Sequence, residues 1–426
     1  MANDKLPRAP GNFRWVIAGL LAAATAINYL DRQTFPTLVK TEITHEIPVS
    51  ESTIYYLNLL FLAGYGIMYA VGGRIMDGLG TRAGYALMIV WWSGANFAMG
   101  IVSTVTGLAV FRFMLGLGEG GGFPGSAKAV SEWIPPKERS FAFGIFNTGS
   151  AVGAVLAPPL LAAISKWANW RWAFFITGAF GFAWVVVWWL LYERPSRSRY
   201  VTAVEREHIE ASLSIAGAGP DPTPIRWLEL FRHRELWGVM LAKFLSDAAW
   251  YFYGLGLPTY LATVRGLNTK GIGYFTWIPW VFAGAGSFIG GWFSGCLFRR
   301  TSLDTARKVA LGFSAALMPI ALFIAAAPLN AAIVFFCIAF FGHQFFSTIM
   351  QTLPADLFPS RVVGSVAGLV GAAGSFGGMF FSLFVAQVVG DKGQGYPTIF
   401  AIAGTLHVIA FAVILLVVRR IRRVIE

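Results

Sequence analysis

The chain has 426 residues, of which 56% are hydrophobic and only 13% are charged. A soluble globular domain carries about a quarter of its residues as charges, so a water-soluble fold is excluded and a polytopic membrane protein is expected. The formal net charge of +12 does not mark a nucleic-acid partner, because the basic residues sit in short loops between apolar runs. That pattern orients membrane spans in a lipid bilayer.

Taken in chain order, the apolar runs predict twelve spans, near residues 13–38, 53–76, 82–102, 105–130, 139–164, 168–192, 236–262, 270–298, 306–327, 330–355, 361–389 and 396–419. Each can cross a hydrocarbon core of ~30 Å at ~1.5 Å per residue. Lys5, Arg8 and Arg14 precede a run containing Ala24-Thr25-Ala26, the layout of a cleaved signal peptide. The run is too long for one and leads into many further spans, which argues against that reading. Loops on one side also carry Arg82, Lys137, Arg139, Arg299, Arg300, Arg307, Lys308, Arg361, Arg419, Arg420, Arg422 and Arg423. The opposite loops carry only Lys40, Lys166, Arg171, Arg265, Lys270 and Lys392. This asymmetry predicts cytoplasmic termini. Residues 193–235 hold Pro195, Gly217, Gly219, Pro220, Pro222 and Pro224, and read as a cytoplasmic linker with some surface helix. They separate six spans in 1–192 from six in 236–426. Cys296 and Cys337 lie in apolar stretches, which argues against a disulfide framework or a cysteine metal site.

Span 1 contains Asn28, Tyr29, Leu30, Asp31 and Arg32. A charge at bilayer depth costs at least about 2.5–3.5 kcal/mol, so an acid and a base there point to a substrate or proton site. At 100° per residue, Thr25, Asn28, Tyr29 and Arg32 share a face and Asp31 points elsewhere. Arg32 is placed to hold an anion. A structural ion pair is the alternative. Between spans 2 and 3 stands GGRIMDGLGTR, with Gly73, Asp77, Gly80 and Arg82. The glycines allow a tight turn and close helix approach, and Asp77 and Arg82 can latch against a neighbouring helix. Span 4 carries Arg112 and Glu119 on one face, two turns apart, in a glycine-rich run. Burial opposes the charge of Glu119 and a nearby guanidinium favours it, which poises Glu119 to take and release a proton. A static Arg–Glu bracket is the alternative.

Span 2 offers Tyr65 and Tyr69, and span 5 offers Asn147 and Ser150 as hydrogen-bonding groups in an apolar helix. In span 7, Lys243 and Asp247 read as a surface-facing i,i+4 pair, followed by Trp250, Tyr251 and Tyr253, aromatics suited to pack on a sugar ring. In span 10, Gln344, Thr348 and Gln351 fall on one face as the wall of a wet cavity, and His343 reads as a satisfied structural histidine. Span 11 adds Ser375 in a glycine-rich run. An acid three residues before a proline recurs after spans 4 and 10, as Glu132 with Pro135 and Asp356 with Pro359. The basic Arg139 and Arg361 follow. Such a repeat is expected of a duplicated bundle.

The loop motif resembles that of the major facilitator superfamily, and the likeness runs along essentially the whole chain. NYLDR, RFMLGLGEGGGFP, EWIPPKERSFAFGIFNTGSAVGAVLAPP, WRWAFFITGAFGF, LSDAAWYFYGLGLPTYL, HQFFST and DLFPSRVVGSVAG resemble the anion:cation symporters, most of all bacterial hexuronate transporters. The resemblance implies an all-α membrane protein of twelve helices in two pseudo-symmetric six-helix bundles, acting as a monomer in a bacterial inner membrane. It further implies proton-coupled import of a sugar acid, with Arg32 as substrate arginine, Tyr29 and Tyr65 beside it, Asp31 and Glu119 as proton-linked acids, and Arg112 tuning Glu119. Span 10 departs from the hexuronate pattern at Phe346, Ser347 and Ile349, where those proteins tend to show Trp-Ser and then an Asn.

The first functional reading is therefore a symporter for an anionic small molecule, a hexuronate before other organic anions. The coupling ion is H⁺, with Na⁺ left open, and no cofactor is expected. An efflux antiporter fits less well, because the run 149–159 resembles the span-5 signature of proton exchangers poorly. A non-transporting sensor lacks a sizeable output domain in the linker. No residue cluster has metal spacing and no nucleophile–base motif stands out, so enzyme chemistry is not expected.

Overall fold

The computed structural model describes residues 11–39, 42–49, 51–215, 227–267, 269–389 and 394–424. Lys5, Arg8, Lys40 and Lys392, together with Gly217, Gly219, Pro220, Pro222 and Pro224 of the expected linker, lie outside the described residues. In the first half the helices are α1 (Phe13–Leu38), α2 (Glu51–Leu79), α3 (Thr81–Met99), α4 (Val105–Gly120), α5 (Gly122–Trp133), α6 (Arg139–Ser165) and α7 (Trp170–Leu191). The linker helix α8 (Ala203–Ile215) follows. The second half holds α9 (Arg234–Thr263), α10 (Thr269–Arg300), α11 (Leu303–Leu317), α12 (Leu329–Leu357), α13 (Val363–Val388) and α14 (Tyr396–Val413). Among the described residues, nine helical stretches are long and apolar enough to cross a membrane. Large apolar side chains such as Ile101, Val186, Leu190 and Trp292 point outward, as a lipid-facing surface requires.

Local chemistry sets the helix ends. Thr104 caps α4 by accepting from the Gly107 amide, and Ser302 caps α11 by accepting from the Thr305 amide. Gly80 turns the chain from α2 into α3 at φ +80°, a conformation that costs a side-chain-bearing residue energy. The expected single span over 105–130 is divided at Gly121. Pro124 has no amide hydrogen for the Gly120 carbonyl, so the helical ladder breaks there. Pro319 likewise ends α11 in a short 3₁₀ turn, Met318–Phe323.

Small residues bring the helices together. α1 packs on α6, where Gly149 and Gly153 meet the backbone of Ala22 and Ala26. α2 packs on α4, α9 on α13 and α10 on α12. The two halves meet along two seams. In one, Gly144 and Gly291 set α6 against α10 at Ser287 and Ser140. In the other, Gly73 lies against Gly364 and Gly368 against Tyr69, setting α2 on α13.

The face that holds the start of α1 and the end of α14 is shut by polar bonds between the halves. Lys128 Nζ donates to Asp77 at 2.5 Å within the first half, and Asp77 accepts across the halves from the amide and hydroxyl of Ser365 at 2.8 and 2.6 Å. Arg139 donates to the Ala355 carbonyl at 2.6 Å and stands 3.8 Å from Asp356. Asp356 itself pairs with the buried Arg307 at 2.8 Å. Asp77 thus reaches across the halves, whereas Arg82 stays within its own, bonded to Glu193 and the Trp189 carbonyl. The repeated acids also part ways, because Glu132 accepts from the Tyr192 hydroxyl instead of an arginine.

Candidate functional site

Between the halves lies a cavity with about 530 Å³ of empty space, part of it continuous with solvent. The first half lines it with Tyr29, Arg32, Tyr65, Tyr69, Phe123, Asn147 and Ser150. The second half contributes Lys243, Asp247, Trp250, Tyr251, His343, Gln344, Ser347, Gln351 and Ser375.

Arg32 is the cation of the first wall. Its Nε donates to Glu119 Oε2 at 2.8 Å and its Nη2 to Asn28 Oδ1 at 3.2 Å. The guanidinium lies 4.7 Å from the Tyr29 ring centroid, 4.8 Å from Tyr65 and 5.4 Å from Phe61. Aromatic faces attract a cation and fix its plane, so Arg32 is held rigid while 19% of its side chain stays exposed to the cavity. Glu119 behind it is wholly buried, and Oε1 has no hydrogen-bond partner among the described residues.

The partner of Glu119 is therefore Arg32 of α1, which ties α1 to α4, and Arg112 does not bond to Glu119 directly. Seven residues rise about 10.5 Å along a helix, too far for a direct bond without long side chains bending back. Arg112 Nη2 instead donates to Asn58 Oδ1 at 2.7 Å, and its guanidinium lies over Phe35 and Phe61. Phe61 thus touches both guanidiniums. Asp31 points away from the Arg32 face, as the helical spacing predicts: it accepts from Asn96 Nδ2 at 2.8 Å, and shares that amide with Thr177. Asn58 and Asn96 escaped the sequence reading. Each is a lone amide in an apolar run, and that was the available signal.

The second wall corrects the reading of Lys243 and Asp247. The pair, 2.9 Å apart, is buried at the cavity instead of facing the surface. Lys243 is nine residues into α9, about 13 Å along the helix, which places it well inside the bundle. Its Nζ also donates to Ser347 Oγ at 3.0 Å. Trp250 stacks on His343 at 4.5 Å and packs against Trp280 and Phe340. His343 is bonded to His407 at 2.9 Å, a partner the sequence did not suggest. Of the expected polar stripe, Gln344 and Gln351 reach the cavity. Thr348 does not, because it accepts from Asn147 Nδ2 at 3.2 Å and is spent on the contact between halves. Ser375 lines the cavity while donating to the Gly371 carbonyl.

The arrangement offers a rigid cation and hydrogen-bonding amides and hydroxyls around an aromatic platform, in a cavity shut at one face. The profile of the Major Facilitator Superfamily matches residues 21–382. The chain is 32% identical to the hexuronate transporter of Escherichia coli K12 over 94% of its own length and 93% of that protein's. It is 32% identical to the galacturonate transporter of Dickeya chrysanthemi over 72% of this chain and 89% of that one. The solved structure of the proton:xylose symporter XylE shares the fold, with a TM-score of 0.75 at 18% identity and 96% coverage of both chains. This chain is accordingly a multi-pass membrane transporter, not an enzyme. It belongs to the Major Facilitator Superfamily, and within it to the family of the E. coli hexuronate transporter.

Proposed function

We propose that the protein imports a sugar acid, a hexuronate such as galacturonate or glucuronate, together with a proton. The observation that carries this reading is Arg32, a guanidinium clamped between tyrosine rings at the cavity with a buried internal counter-ion. A guanidinium pairs with a carboxylate through two parallel bonds, which suits it to the acid end of such a substrate. When Glu119 takes a proton from solution it gives up Arg32, and the substrate carboxylate occupies the vacated edge. One negative charge and one proton then cross together. Trp250 packs on the ring, and Gln344, Gln351, Asn147 and Ser375 bond the hydroxyls. The halves 1–192 and 236–426 rock about this site as two six-helix bundles, with 193–235 as a cytoplasmic linker in the bacterial inner membrane. The motif of Gly73, Asp77, Gly80 and Arg82 latches one end of that cycle.

The names of the relatives support the substrate class, since both act on uronic acids by name. The test is uptake of labelled galacturonate into proteoliposomes under an imposed pH gradient, then under a Na⁺ gradient. Accumulation driven by an acidic exterior is expected. Accumulation driven by Na⁺ alone, or none above the passive level, refutes the reading.

A further inference from the structure

Two histidines meet at the wall of the cavity that faces away from Arg32. His343 of α12 lines the cavity, and His407 of α14 stands behind it, outside the lining. His343 Nδ1 and His407 Nε2 are 2.9 Å apart. The His343 ring also stacks on Trp250 with the two planes 7° apart, and it meets the His407 ring edge-on at 87°. A bond at one edge and a ring against one face fix both the place and the tilt of that imidazole. Nδ1 is spent on His407, which leaves Nε2 for the cavity.

Whether that nitrogen donates or accepts follows from His407. Both rings are buried and neither bonds a carboxylate among the described residues, so both are neutral imidazoles with one proton each. If His343 donated from Nδ1, His407 would have to keep its proton on its own Nδ1. That atom is buried and has no hydrogen-bond partner among the described residues. A buried N–H left without an acceptor is the rarer kind of orphan. If His407 donates from Nε2 instead, the orphan is only a lone pair. Both rings then carry the proton on Nε2, the nitrogen that a free histidine side chain prefers. Both counts favour this second arrangement, and it puts an N–H on the cavity side of His343. We propose that His407 is a positioning residue: from outside the cavity it holds the His343 ring so that Nε2–H is aimed at a substrate oxygen. This rests on the cavity as the sugar-acid site. It adds a fixed donor for a ring or hydroxyl oxygen of the sugar, away from the carboxylate end.

The experiment records nitrogen NMR spectra of the full-length protein with isotope-labelled histidine, in lipid bilayers, before and after galacturonate is added. The chain has five histidines, so few rings need assigning. In the ligand-free protein both His343 and His407 should be protonated on Nε2 and bare on Nδ1, and galacturonate should shift the His343 Nε2 resonance. Tryptophan-fluorescence titrations of two variants complete the test. His407→Leu removes the donor and should lose about tenfold in galacturonate affinity. His407→Gln can still donate from its amide and should recover most of that loss, whereas a histidine that only packed α14 on α12 would be replaced by leucine at least as well as by glutamine. A proton on His343 Nδ1, an Nε2 resonance that ignores bound galacturonate, or no advantage of glutamine over leucine each overturns the assignment. If the leucine variant fails to fold, the two wild-type spectra decide. A wild type that does not bind galacturonate refutes the sugar-acid reading, and the ligand-free spectrum then decides the role of His407 by itself.

Discussion

Arg32 has a tightly constrained side chain. Three rings, one carboxylate and one amide fix its plane. Lysine at this position keeps the charge and loses the planar fork, the stacking and the second bond. Arg32→Lys is expected to weaken galacturonate binding by about 1.5–3 kcal/mol, or roughly ten- to a hundredfold, while the protein still folds and inserts. Equilibrium binding with a melting curve checks both halves of that statement. Near-normal affinity in Arg32→Lys would remove this residue from the grip. The place of Arg32 at the cavity was legible in the sequence because a charge deep in an apolar run stands out. Its partner was not. Helical periodicity relates residues within one span, and it linked Glu119 to Arg112, whereas the bond that forms runs between α1 and α4. For the same reason Lys243 and Asp247 were found as a pair but assigned the wrong surroundings.

At the scale of elements, hydropathy located the spans to within a few residues, as α1, α6 and α9 illustrate. It missed the interruptions at Pro124 and Pro319, because a single absent amide hydrogen leaves no mark on a hydropathy window. The latch at the closed face was half legible. Asp77 ties α2 to α5 and to the start of α13 through three bonds. Removing its charge should weaken the attraction of Lys128 and loosen the closed face. Asp77→Asn is expected to lengthen spin-label distances between the ends of α2 and α13 at that face, and to raise the share of the open form several-fold. Charge-assisted bonds are worth about 1.5–3 kcal/mol each, enough for such a shift if only part of one is lost. Unaltered distance distributions would show that the seam of small residues alone keeps the face shut.

For the whole molecule, the question is whether substrate and proton are obliged to travel together. Glu119→Gln mimics the permanently protonated acid and frees the Arg32 edge. The variant should still bind galacturonate and exchange it across the membrane, since exchange needs only alternating access. A pH gradient should no longer drive accumulation. Counterflow exchange and gradient-driven uptake measured on the same proteoliposomes separate the two. Full gradient-driven accumulation in Glu119→Gln would place the proton on another group, with Asp31 next, through Asp31→Asn. Asp31 is wholly buried and holds Asn96 and, through it, Thr177, so it couples α1 to α3 and α7 away from the cavity.

The two glycine seams have a mechanical consequence. Interdigitated side chains must leave their rotamer wells to slide, at about 0.5–1.5 kcal/mol apiece. Where Gly144 faces Ser287, Gly291 faces Ser140 and Gly73 faces Gly364, main chain rests on main chain. Such a surface works as a bearing. Its friction is set by the smoothness of two backbones, and the polar bonds at its rim act as the brake. Bulk introduced on the bearing should therefore stall turnover at substitutions too mild to melt either half.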